Sequence, residues 1–149
     1  SILIALHMLS AVIWVGGMFF AYMALRPVAA QLLEPPQRLA LWNQTFARFF
    51  VWVWIAVAAL LVSGYWMVFA GFGGMAHVGL HIHIMQGLGI LMMLLFGHLF
   101  FAPYRRLRRA LADNDIPEAG RRLGQIRLIV AINLTLGLIV VAVAAGGRM

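Results

Sequence analysis

Apolar residues fall into four long runs separated by polar, glycine-rich or basic stretches. The clearest run is HIHIMQGLGILMMLLFGHLFF, from His81 to Phe101. It has histidines at both ends, no formally charged residue when these are neutral, and APYRRLRR directly after it. About 20 apolar residues cross a bilayer core of roughly 30 Å, so this run predicts a transmembrane helix. The pattern as a whole predicts helices at about 2–25, 46–69, 79–102 and 123–145, too long and too apolar for amphipathic surface helices. In the first, His7, Ser10, Ala11, Trp14, Met18 and Ala21 recur at three- and four-residue steps and share one face. The Gly16-Gly17 pair would let a helix or a flat ligand come close.

Between the first two runs, Pro35-Pro36 breaks a connector and can start a short helix. Arg38, Trp42, Gln44 and Arg48 read there as an interfacial turn, and Ser63-Gly64 as a bend in the second helix. AGFGGMAHVGL is a glycine-rich loop carrying Met75 and His77. The third helix is expected to end near Pro103, with YRRLRRALAD continuing as a helix out of the membrane into a basic loop at about 103–122.

Composition sharpens this picture. The chain is 64% hydrophobic and 10% charged, with mean hydropathy +0.97. A soluble domain carries about 25% charged residues, so this chain belongs in a lipid bilayer. A β-barrel would show short alternating segments, and none are present. The expected fold is all-α: one integral membrane four-helix bundle over residues 1–149. All 11 basic residues are arginine, and with four acids the net charge is +7. Clustered between apolar runs, these arginines serve orientation and anionic head groups rather than nucleic acid. Basic loops stay in the cytoplasm, which predicts both termini and the His77 loop on the periplasmic side of a bacterial inner membrane. The first run lacks a basic n-region and a small-residue cleavage site, so it reads as a span rather than a cleaved signal. Ser1 reads as the residue left after loss of an initiator Met. The absence of cysteine excludes disulfides, thiolate metal sites and thiol catalysis.

The candidate chemistry lies in the histidines, because an ionisable side chain inside a membrane is a functional-site hypothesis by default. At 1.5 Å per residue, His7 and His83 lie about 10–12 Å outward of mid-span, His81 about 15 Å, and His98 about 10 Å to the cytoplasmic side. If the first and third helices are neighbours, His7 and His83 face each other across the outer half of the bundle. Two facing imidazoles with glycine beside them suit a b-type haem, with His98 as substitute ligand or ligand of a second haem. Trp14, Gly17, Gly87 and Gly97 would line the porphyrin, although a tryptophan in Trp14's place is more often core than cofactor contact. Met75, His77, His81, His83 and Met85 form a second candidate set, since thioether and imidazole suit copper. His98 has a third option, a hydrogen bond to Asn133 at similar depth, worth about 1 kcal/mol.

LHMLSAVIWVGGMFF, ARFFVWVWIAVAALLVSGYWM and HIHIMQGLGILMMLLFGHLFFAPYRRLRRAL together resemble the CopD-like membrane family, related to the HemJ-type protoporphyrinogen oxidases. The resemblance covers nearly the whole chain and implies a four-helix membrane domain. On the CopD side it implies copper handling. On the HemJ side it implies bound haem b and redox chemistry on a tetrapyrrole, with His7 matching the shared first-helix histidine and His98 the one late in the third helix. HemJ-like proteins carry a lysine in the third helix, and this chain has none.

Three functions are therefore expected in competition. The first is a haem b protein passing electrons between a quinone and a periplasmic acceptor, which as an enzyme would be a haem-dependent oxidoreductase. The second is a copper-binding or copper-transport protein. The third is a cofactor-free assembly subunit of a larger membrane complex or a homo-oligomer. An enzyme acting alone has least support, because no nucleophile–base pair is visible.

Overall fold

The computed structural model describes residues 2–71 and 79–146. Four helices are long and apolar enough to cross a membrane: the first span (Ile2–Leu32), the second (Pro35–Phe69), the third (Ile82–Ala112) and the fourth (Ile116–Gly146). No strand occurs among the described residues. Only 17–28% of each span's most apolar stretch is buried within the chain. The remainder presents large apolar side chains outward on all four spans, so the protein is a multi-pass helical bundle whose solvent is lipid.

The spans run further than the apolar pattern predicts. The first continues past Pro27 to Leu32, and the third past Pro103 to Ala112. Proline in a helix interior removes a hydrogen bond and collides with the preceding turn. Here π-helical turns at Ala21–Leu25 and Phe100–Tyr104 widen the backbone beside each proline, so the helix carries on. The expected connector at 28–45 shrinks to Leu33 and Glu34, both extended. Extended geometry is what a following proline imposes, and Pro35 then opens the second span at its first turn. The Arg38 guanidinium donates to the carbonyls of Ala30 and Leu33 at 3.3 and 3.0 Å, satisfying the end of the first span from the start of the second.

The turn between the third and fourth spans is also built from capping chemistry. Asn114 sits at φ 55°, a conformation that asparagine tolerates. Asp115 N–H donates to Ala110 O and Asn114 N–H to Leu111 O, the paired bonds of a Schellman stop. Asp115 Oδ1 then accepts from the Glu118 N–H and starts the next helix. The first part of the basic stretch continues as a helix, as expected, and the part from Ile116 onward, expected as loop, is helical as well.

An aromatic cluster joins the second and third spans. Phe46 stacks on Phe50 at 4.9 Å, and Phe50 meets Tyr104 and Phe96 edge-on at 4.9 and 5.3 Å. Trp14 reaches Phe96 from the first span at 6.2 Å. The first span packs chiefly on the second, and the fourth chiefly on the third. Small residues set the closest approaches. A Cβ on Gly17 would overlap the Phe49 ring, and one on Gly137 would sit 2.8 Å from Val15 and 3.2 Å from Met92.

Candidate functional site

His7 lies two turns into the first span with its ring half-buried against the second. Its Nδ1 is 2.9 Å from Ser63 Oγ, and the Ser63 hydroxyl donates to the Ala59 carbonyl at 2.6 Å. A hydroxyl has one proton, and a carbonyl can only accept. The arrangement is fully satisfied when His7 Nδ1–H donates to Ser63 Oγ. Nε2 is then left with its lone pair, the usual condition of a ligand imidazole oriented through its other nitrogen. Ser63 is fully buried. It is the group that orients His7.

His83 stands in the first turns of the third span, exposed, and its imidazole has no hydrogen-bond partner among the described residues. One turn further in, Gln86 Nε2 donates to the Tyr65 hydroxyl at 2.7 Å, tying the third span to the second. Ser63 and Tyr65 are two residues apart, about 200° around a helix. His7 and Gln86 therefore bond to different side chains of the second span, and the His7 ring addresses Ser63 and Gly64. Met85 is half-buried, whereas Met75, His77 and the His81 side chain lie outside the described residues. Among those described, no three metal-ligating side chains of the His, Cys, Asp and Glu type cluster.

The other expected positions separate. His98 is exposed, and the bond predicted for it with Asn133 does not form, because Asn133 Nδ2 donates instead to the Met92 carbonyl at 3.1 Å. Asn133 is 2% exposed and its Oδ1 has no partner. Trp14 is core, at 3% exposure. Gly17 holds the Phe49 ring, while Gly87 and Gly97 face open space.

A cavity of about 460 Å³ lies at the arginine-rich end, lined by residues of all four spans. Trp14, Tyr22, Trp42 and Phe50 form part of its wall, Asn133 its inner reach, and Arg26, Arg38 and Arg127 also line it. The sequence reading missed it. The arginines were visible as charges, but three residues from three helices share a wall only after packing.

No curated protein and no solved structure matches the chain. The family model CopD, copper resistance protein D, matches residues 43–146, from the second span to the end of the fourth. With most of its length covered by that match, the chain belongs to the CopD family.

Proposed function

We propose that this CopD-family membrane protein binds copper at its histidine-bearing end, with His7 as one ligand. The observation that carries the reading is the Ser63 contact, which leaves His7 Nε2 with its lone pair on an oriented ring. His83, exposed and with no imidazole partner among the described residues, and Met85 stand in the opening turns of the third span. Residues 81 and 85 are one helical turn apart, and Met75 and His77 precede them by a few residues. Imidazole with thioether is a donor set that favours copper over hard cations. The copper named in the family description agrees with this chemistry. Under the positive-inside rule this end is periplasmic, in a bacterial inner membrane.

A b-type haem is the second reading, and it rests on the same His7 nitrogen. It asks for a second imidazole across the porphyrin, whereas the His7 ring addresses Ser63 and Gly64 of the second span.

The test is metal analysis and an absorption spectrum of protein purified from cells supplied with both copper and haem. Wild type is expected to hold stoichiometric copper without a Soret band. Joint replacement of His77, His81 and His83 by alanine should abolish that copper. Ser63→Ala should weaken copper affinity about 10–100-fold, the usual effect of losing the group that orients a ligand imidazole. Unchanged copper in the triple variant would overturn the copper reading, and a reducible Soret band lost in His7→Ala would establish the haem reading instead.

A further inference from the structure

The cavity at the arginine-rich end has apolar walls and a cationic lining. Arg26 donates through Nε to Tyr22 O at 3.1 Å, with its guanidinium 4.4 Å over the Tyr22 ring. Arg38 is strapped to the end of the first span by its Nη2. Its Nε is buried and has no partner. Arg127 is exposed and makes no ion pair among the described residues. The salt bridges among the described residues are those of Glu118 with Arg121 and Arg122, and no carboxylate lines the cavity. Three guanidiniums on an apolar cavity with no counter-charge call for an anion that brings a hydrocarbon body with it.

Position favours a lipid as the source. From Arg26 to Trp14 the first span rises about 18 Å, close to the thickness of one leaflet's hydrocarbon. The walls along that rise are aromatic and aliphatic. Gly120 and Gly124 of the fourth span line the same space, and a Cβ on either meets nothing within 4 Å. These glycines leave the wall bare where a chain would lie.

We infer that this cavity seats one anionic phospholipid, its phosphate among Arg26, Arg38 and Arg127 and an acyl chain along the aromatic wall toward Trp14. The site is separate from the histidine end and does not depend on copper binding there. A bound lipid fills the gap between the first and fourth spans and completes their packing.

The experiment reconstitutes the full chain in nanodiscs of equal parts phosphatidylcholine and phosphatidylglycerol, then counts retained lipid by native mass spectrometry in detergent. Wild type should keep a single phosphatidylglycerol. Arg127→Gln and Arg38→Gln should each lower the retained fraction about tenfold, as expected for loss of a charge-assisted hydrogen bond. Gly124→Leu, which fills the space with a better helix former, should abolish retention while leaving the helical circular dichroism and elution volume unchanged. Equal retention of phosphatidylcholine, or retention unaffected by Gly124→Leu, would overturn the inference. So would displacement of the lipid by inorganic phosphate alone, which would mark a plain anion site.

Discussion

Gly137→Leu should destabilise the bundle more than any other substitution of a small residue on the fourth span. A Cβ at this position would meet Val15 Cγ2 at 2.8 Å and Met92 Cε at 3.2 Å, so the first and third spans both press on it. The methionine tip can move, but the branched valine on a neighbouring helix cannot without shifting its backbone. Between helices in lipid there is no hydrophobic driving force to recover the loss, because association rests on close van der Waals packing. Overpacking of this kind costs about 1–3 kcal/mol. The check is thermal unfolding in detergent with Gly124→Leu alongside, since Gly124 faces open space. A Gly137→Leu transition at the wild-type temperature would show that the three spans do not meet there.

Phe50→Ala should have an effect of similar or greater size. Its ring is 3% exposed and touches Phe46, Phe96, Phe100 and Tyr104 at 4.9–6.2 Å. It is the side chain through which the aromatic cluster of the second and third spans is connected. Truncating a buried phenylalanine costs 3–5 kcal/mol in soluble cores, and lipid recovers part of the transfer term, so roughly 2–4 kcal/mol is expected here. Trp52, two residues along, is 57% exposed. Trp52→Ala should change stability by about 0.5 kcal/mol or less, as for other substitutions outside the packed interior. Equal losses in the two variants, measured by unfolding in mixed micelles, would mean that the second span presents a different face to the bundle.

Several features were open to reading before any coordinates. Four apolar runs of sufficient length require four spans, because a backbone in hydrocarbon must satisfy its own hydrogen bonds. The charge pattern separates an arginine-rich end from a histidine-bearing end. His7 stood out because imidazole in a span is costly. The limits of the helices were harder to read. Pro27 and Pro103 look like stops, yet π-helical turns absorb them. Asn114 looked like one more polar residue in a loop, whereas its positive φ closes a Schellman turn after which the fourth span starts at once, at Ile116.

The site divides in the same way. Ser63 read as a bend, and only its position opposite His7 makes it the partner that sets the imidazole tautomer. Asn133 was expected to meet His98 because the two match in depth. Depth follows from counting residues, but rotation about the helix axis depends on which neighbour packs where, and Met92 receives the bond instead.

The order of residues alone settled the environment, the number of crossings and the kinds of donor available. All three follow from transfer energies and side-chain chemistry, which are local. Packing settled which crossings are neighbours, that His7 addresses Ser63, and that Arg26, Arg38 and Arg127 share a wall. In lipid the outward face of a helix is as apolar as its inward face. The periodicity that would reveal the inward side of a soluble helix is therefore nearly absent, and contacts between rings and glycines decide the arrangement.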